Sequence, residues 1–227
     1  MTIAHKINDI MAKSSWIRKM FEEGARLKAE HGAEKVFDFS LGNPVLPPPE
    51  KFNEILRDTV DSCGLGDHCY MPQAGYPQVC VSIAEYLTKE QGVAISCDEI
   101  IMTCGAAGAL NVIFKALLDP GDEVLTPSPC FVEYRFYADN HGGVLKMVNT
   151  RPDFSLDLEA LGGAITQKTK VVLINSPNNP TGQIYSKMSM DALGRLLVEK
   201  GREYGHIIYL VSDEPYRKIV FDDAQVP

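Results

Sequence analysis

Residues 170–182 have the sequence KVVLINSPNNPTG, in which a short apolar run passes directly into a polar loop. The run Lys170–Asn175 predicts a strong strand, and the two prolines of the following loop predict a rigid turn. A second apolar run, Ile207–Val211, is continuous and is therefore typical of a strand that is buried on both faces. We expect these two strands to belong to one sheet.

Strands and helices alternate on either side of this stretch. Shorter apolar segments predict strands over residues 100–103, 123–126 and 144–148. Helices are predicted over about 49–61, 76–91, 106–118, 131–141 and 189–203. This alternation predicts an α/β fold with a doubly wound, mainly parallel sheet and right-handed crossovers.

The first part of the chain has a different pattern. An interrupted helical stripe over about residues 7–30 predicts an N-terminal helix or arm, and a short strand is predicted over Val36–Phe39. The prolines of residues 44–49 form an extended loop that separates compact units. We therefore predict two domains, residues 1–46 and residues 47–227.

Composition restricts the class of protein. The 227 residues include 22 Lys and Arg against 30 Asp and Glu, for a formal charge of −8, and 45% of residues are hydrophobic. These values exclude disorder and argue against binding to nucleic acid or to a membrane. No apolar run approaches the roughly 20 residues that span a bilayer. The N-terminus lacks the apolar core of a secretion signal, so a cytoplasmic protein is expected.

The cysteines and histidines give no metal signature. The six cysteines are irregularly spaced, with no CxxC pair, and no HExxH frame is present. Free thiols and no metal site are therefore expected.

In an open α/β sheet, ligands bind beyond the carboxyl ends of the strands. Four segments follow predicted strands there, namely residues 104–108, 127–131, 175–182 and 212–216, and we expect them to line one rim. Gly105, Ala106 and Ala107 open a helix, where free N–H groups and the helix dipole suit a phosphate. Small residues at this position equally suit close packing of a helix on a strand.

The other segments offer polar and aromatic candidates. Phe131 is either a core residue or a surface on which a flat heterocycle stacks. Asn179 is either a turn-forming residue or an amide aimed at a ligand oxygen. Asp213 ends an apolar strand, so we expect it to be largely buried and to need a cationic partner.

That partner is either Arg217 or Lys218, or else a ligand cation, and Tyr216 could contact the same ligand. The dinucleotide fingerprint GxGxxG and the phosphate loop GxxxxGK[ST] are absent. A phosphate seat, a stacking surface, a hydrogen-bond donor, a phenol and a buried anion together suit pyridoxal 5′-phosphate.

With these residues in place, the chain resembles the fold-type I pyridoxal-phosphate enzymes, specifically class I/II aminotransferases of the aspartate aminotransferase kind. The resemblance runs over nearly the whole chain in the family's order and spacing. Its segments are Leu41–Pro44, Tyr70 with Gly75, Gly105–Ala107, Pro120–Val124, Pro129–Phe131 with Tyr134, Asn178–Gly182, and Asp213–Tyr216.

The resemblance implies roles for the residues that contact the cofactor. Gly105, Ala106 and Ala107 would bind the phosphate through backbone amides. Phe131 would stack on the pyridine ring, and Asp213 would keep the pyridine nitrogen protonated, which makes the ring an electron sink.

Four further residues gain roles from the same resemblance. Asn179 and Tyr216 would hydrogen-bond the phenolic oxygen of the ring. Tyr70 would reach the phosphate bound by a neighbouring subunit, which implies a homodimer with shared sites. Gly42 would approach the substrate carboxylate through its backbone, assisted by Asn179.

The implied activity is transamination between an amino acid and a 2-oxo acid, with aspartate and 2-oxoglutarate as the expected pair. Residues 1–46 would be an N-terminal arm and part of a small domain, and residues 47–227 would be an incomplete large domain. The Schiff-base lysine would lie beyond Pro227, so no catalytic residue is assigned and the isolated chain is expected to be inactive. A lyase, decarboxylase or synthase on this fold, or a non-catalytic relic, are the alternatives.

Overall fold

The computed structural model describes residues 2–13, 15–39, 42 and 46–227. The chain forms two compact units, Met1–Cys69 and Tyr70–Pro227. The sequence predicts a boundary after residue 46. The observed division comes later along the chain, since the helix Glu50–Asp61 belongs to the first unit.

The first unit is mainly helical. It contains α1 (His5–Lys13), α2 (Ser15–His31), a short 3-10 helix (Ala33–Lys35) and α3 (Glu50–Asp61). The predicted strand Val36–Phe39 is wrong: these residues form no ladder, and Phe37 and Phe39 are exposed. An ion pair of 2.7 Å between Lys28 Nζ and Asp38 Oδ2 joins this segment to α2.

The second unit contains a four-stranded parallel sheet. Its strands have the order β2-β1-β3-β4, and each neighbouring pair is parallel. The strands are β1 (Glu123–Ser128), β2 (Val144–Asn149), β3 (Thr169–Asn175) and β4 (Tyr209–Asp213). The helices are α4 (Pro77–Gln91), α5 (Gly105–Leu117), α6 (Tyr134–Asp139), α7 (Leu158–Ala164) and α8 (Lys187–Tyr204).

Helices cover both faces of this sheet, as the predicted doubly wound fold requires. In β3, Val171 and Leu173 pack on one face, against Leu110 and Phe114 of α5 and against α6. The alternate residues of β3, Val172 and Ile174, pack on the other face. Their partners there are Leu161 of α7 and Leu193 and Leu197 of α8. Because side chains alternate along a strand, an apolar run without polar interruptions supplies both cores.

The prediction for residues 207–211 is wrong in two respects. The strand is Tyr209–Asp213, and it is not buried on both faces, since Tyr209 is 43% and Leu210 is 40% exposed. The physical reason is its place in the sheet. β4 pairs with β3 on one side and is the last strand of the sheet in the described part of the chain.

The predicted strand Ile100–Thr103 is also absent. This segment follows a short 3-10 helix (Cys97–Glu99) and pairs with no strand. The Met102 N–H instead donates to the Ala74 carbonyl at 2.8 Å. An apolar run becomes a strand only where a neighbouring strand supplies hydrogen-bond partners, and the four-stranded sheet supplies none here.

None of the described helices is long and apolar enough to cross a membrane. Among the same residues, His, Cys, Asp and Glu side chains form no group of three that could hold a metal ion.

A buried carboxylate lies at the amino end of the sheet. Glu123, at the start of β1, is 7% exposed. It forms an ion pair of 2.6 Å with Lys146 of β2 and accepts hydrogen bonds from the hydroxyls of Thr166 and Thr169 at 2.7 and 3.3 Å. Burial opposes ionisation, but these three partners outweigh it and hold the pKa of Glu123 below its ordinary value.

We expect Glu123→Gln to lower the free energy of unfolding by about 1–3 kcal/mol at pH 7, because a buried charged hydrogen-bond network is broken. The folded pKa lies below the unfolded pKa of about 4.3. The stabilisation is therefore complete above that value and is lost as the pH falls toward the folded pKa. Urea unfolding at several pH values tests this.

The matched control is Glu203→Gln, which breaks an exposed pair with Lys200 and should leave stability almost unchanged. Equal effects of the two substitutions would contradict the assigned role of Glu123.

Candidate functional site

Three strands of the sheet bring candidate residues to one edge. Phe131 follows the end of β1, Asn179 follows the end of β3, and Asp213 is the last residue of β4. These strands are parallel, so their carboxyl ends lie at the same edge. The chain leaves β1 toward β2 on one side and returns to β3 on the other. This makes the carboxyl ends of β1 and β3 a topological switch point, which is where open α/β sheets bind their ligands.

A buried tyrosine holds the carboxylate of Asp213. Tyr134 begins α6 and is 1% exposed, and its hydroxyl donates to Asp213 Oδ2 at 2.6 Å. Burial, and then the nearby Asp213 carboxylate, raise the pKa of Tyr134. The hydroxyl therefore remains protonated and donates to the carboxylate. The ring of Phe131 meets the Tyr134 ring edge to face, with centroids 5.5 Å apart.

Asp213 differs from its prediction in burial. Its side chain is half-buried rather than largely buried, because β4 lies at the edge of the sheet. Arg217 and Lys218 do not neutralise it: Arg217 lies near Glu214 and Glu90, and Lys218 pairs with Glu90. Across residues 46–227, no lysine or arginine forms an ion pair with Asp213. The carboxylate therefore has one oxygen bound by a phenol and no cation.

Asn175 joins the remaining candidates to Asp213. Its Nδ2 donates to the Asp213 main-chain carbonyl at 2.8 Å, and its Oδ1 accepts from the Asn179 main-chain N–H at 2.6 Å. Asn179 Nδ2 in turn donates to the Tyr216 hydroxyl at 3.4 Å. Together with Tyr134, these contacts connect Phe131, Asp213, Asn179 and Tyr216 at one edge of the sheet.

The loop that carries Asn179 is held by its own hydrogen bonds. Asn178 is 6% exposed; its N–H donates to the Gln183 carbonyl, and its carbonyl accepts from the Gly182 N–H. Its side-chain oxygen accepts from both the N–H and the hydroxyl of Thr181. Since the two prolines of this loop have no N–H, few backbone donors remain, and the loop presents Asn179 in a fixed position.

The predicted phosphate seat is the first turn of α5. Gly105 has a φ of 70°, a left-handed conformation that favours glycine, and no side chain caps this helix end. Gly105, Ala106 and Ala107 are exposed. α5 follows an unpaired segment rather than a strand, yet it packs on the same core cluster as Phe131. Among the described residues, no hydrogen bond connects α5 to the strand tips. The shared core is what connects them.

Two further residues, Tyr70 and Gly42, are predicted to belong to the site. Tyr70 is the first residue of the second unit and is fully exposed. Gly42 belongs to the first unit and is exposed, while Leu41, Asn43 and Pro44 of its motif lie outside the described residues. The roles of Tyr70 and Gly42 stay predictions.

Tyr134 and Asn175 have no role predicted from the sequence. Tyr134 belongs to a segment of the resemblance, and its position three residues after Phe131 places both near the start of one helix. Asn175 is the only polar residue in the carboxyl half of an otherwise apolar strand run. A polar residue at the end of a buried strand is a signal for a side chain that serves the site.

Comparison with known proteins identifies the family of this chain. A sequence model of the family Aminotransferase class I and II matches residues 34–227. An aspartate/prephenate aminotransferase of Thermus thermophilus is 40% identical over 185 residues, which are 81% of this chain and 46% of the relative. A probable aspartate aminotransferase of Methanocaldococcus jannaschii is 35% identical over 82% of this chain and 47% of its own length.

Solved structures give the same result. An aminotransferase from Eubacterium rectale matches 100% of this chain and 58% of its own, with a TM-score of 0.94 at 37% identity. Alanine aminotransferase from Pyrococcus furiosus matches 93% of this chain and 52% of its own, with a TM-score of 0.80 at 29% identity. The chain thus spans about half the length of the relatives it matches. It has the fold of the fold-type I aminotransferases and, as the resemblance predicted, belongs to the class I and II aminotransferase family.

Proposed function

We propose that this chain binds pyridoxal 5′-phosphate at the tips of β1, β3 and β4, and that the protein transfers an amino group between an amino acid and a 2-oxo acid. The observation that carries the proposal is the environment of Asp213. A half-buried carboxylate is held by the Tyr134 phenol and has no lysine or arginine partner in the described part of the chain. A protonated ring nitrogen would supply the missing positive charge.

The neighbouring groups fit the rest of the ring. Asn179 and Tyr216 lie beside each other and offer an amide and a phenol to the phenolic oxygen. Phe131 is half-buried and offers a ring for stacking. The uncapped first turn of α5, at Gly105 and the two alanines that follow it, offers N–H groups to the phosphate.

When bound, the cofactor supplies an electron sink for the substrate carbon that loses its proton. The residues of this chain would bind and orient the ring. Asp213 would hold a proton on the ring nitrogen, and Tyr134 would hold Asp213 in place. Asn179 and Tyr216 would fix the opposite side of the ring by hydrogen bonds to its oxygen.

The family is the basis for our proposals on substrate and assembly. Relatives named aspartate or aspartate/prephenate aminotransferase support an acidic amino acid as amino donor. We propose that Gly42 and Asn179 approach the substrate carboxylate. We also propose a homodimer in which the exposed Tyr70 reaches the phosphate bound by the partner subunit.

We expect Asp213→Asn to weaken the binding of pyridoxamine 5′-phosphate by about tenfold or more, because a charge-assisted hydrogen bond to the ring nitrogen is lost. Isothermal titration calorimetry of the 227-residue chain measures this. This ligand is chosen because it needs no lysine for binding. The control Asp191→Asn removes an exposed carboxylate that pairs with Lys187 and should leave affinity unchanged. Equal affinity of Asp213→Asn and the unmodified chain would contradict the proposal.

We expect Tyr134→Phe to lower the free energy of unfolding by about 1–3 kcal/mol without any ligand, because a carboxylate loses its buried hydrogen-bond donor. The control Tyr204→Phe removes a phenol that donates to the Ile165 carbonyl at 3.2 Å. Its effect should be smaller, since no charged group is involved. Urea unfolding compares the two variants, and a Tyr134→Phe chain as stable as the unmodified chain would exclude this hydrogen bond.

We expect the 227-residue chain alone to give no turnover of aspartate and 2-oxoglutarate. Lys218 follows the site in sequence, but it lies in a turn and pairs with Glu90 instead of facing Asp213. A coupled assay for oxaloacetate, with an active relative as positive control, measures this. Any turnover above that of an Asp213→Asn chain would show that the chain supplies its own catalytic base.

A further inference from the structure

Asn175 is the polar residue that connects two neighbouring strand tips. It is the last residue of β3, is 3% exposed, and lies opposite Asp213 in the last residue pair of the β3–β4 ladder. Its carboxamide donates to the Asp213 carbonyl at 2.8 Å and accepts from the Asn179 N–H at 2.6 Å. The nitrogen and the oxygen of this buried carboxamide therefore each form a hydrogen bond.

These two contacts act on the backbone of the site. The first holds the Asp213 main chain, while Tyr134 holds the Asp213 carboxylate. The second holds the main chain of Asn179, whose side chain donates to the Tyr216 hydroxyl. Asn175 is short and buried, so the distance between the Asp213 and Asn179 backbones is set by one carboxamide.

We infer that Asn175 is a positioning residue, which acts through Asp213 and Asn179 to set the spacing between the groups that meet the ring nitrogen and the phenolic oxygen of the cofactor. This inference rests on the proposed function. It assigns Asn175 no contact with the cofactor itself.

Three ligands test the contacts at the two sides of the ring separately. They are pyridoxamine 5′-phosphate, an analogue with C–H in place of the ring nitrogen, and an analogue without the phenolic hydroxyl. All three carry the phosphate. The ratio of dissociation constants between each analogue and the parent ligand reports the contact at one side of the ring, and the phosphate contribution cancels.

In the unmodified chain, we expect both analogues to bind more weakly than pyridoxamine 5′-phosphate. In Asn175→Leu, which has a similar shape but no polar atoms, we expect both ratios to fall by about fivefold or more, since hydrogen-bonding groups on both sides lose their alignment. Asn175→Ala should give the same result and serves if the leucine variant does not fold. A general loosening of the fold would weaken all three ligands alike and leave both ratios unchanged.

The matched control is Asn140→Ala, which removes an exposed carboxamide that donates to Asn111 at 3.2 Å. Both ratios should equal those of the unmodified chain. Folded Asn175 variants that keep both ratios would overturn the inference, and a fall in only one ratio would overturn the claim that Asn175 serves both sides.

Hydrogen exchange on the unmodified chain gives a test that needs no variant. The Asn179 N–H, bound by the Asn175 side chain, should exchange more slowly than an unprotected amide. Exchange at the unprotected rate would overturn the inference even if no Asn175 variant folds. If the unmodified chain fails to bind pyridoxamine 5′-phosphate, the proposed function fails, and the cofactor-positioning role fails with it. If it binds and discriminates, only the role of Asn175 is decided by the variants.

Discussion

Asp213 is a half-buried carboxylate at the tip of β4 with no lysine or arginine partner among the described residues, and it constrains the rest of this site. The buried Tyr134 hydroxyl donates a hydrogen bond to one oxygen of the Asp213 carboxylate. That contact requires α6 to begin directly beyond β1 and β4 to end on the far side of β3. A single hydrogen bond between residues that are distant in sequence thus depends on the order of the strands and on the short connection after β1.

The two cores make this arrangement rigid. β1 and β3 are the inner strands, and their side chains alternate between the α5–α6 layer and the α7–α8 layer. Neither strand can slide by one residue without exchanging the two cores. This packing fixes the position of Asn175 at the tip of β3, and the β3–β4 ladder pairs Asn175 with Asp213 there.

Sequence alone predicted the parts of the fold that local pattern determines. The apolar run of β3 and the turn chemistry after it identified both the strand and Asn179. It failed where structure depends on neighbours: Ile100–Thr103 has no strand beside it, and β4 lies at the edge, so its apolar residues are exposed. The roles of Tyr134 and Asn175 could not be predicted, because both depend on which strand tips become adjacent. Phe131, Asn179 and Asp213 were predictable from position alone, as each follows or ends a strand.

The proposed function separates the binding of the ring from the reaction that takes place on it. The groups proposed to meet the ring nitrogen, the phenolic oxygen and the ring face all belong to the unit Tyr70–Pro227, and their contacts run between strand tips of that unit. The proposed substrate contact at Gly42 belongs to the other unit. In the proposed function, affinity for the ring therefore depends on contacts within one unit, whereas turnover also needs the substrate contact. Under that proposal we expect substitutions at Tyr134 and Asn175 to act on ring affinity. A substitution at Asp213 should act on both properties, since Asp213 would also keep the ring nitrogen protonated.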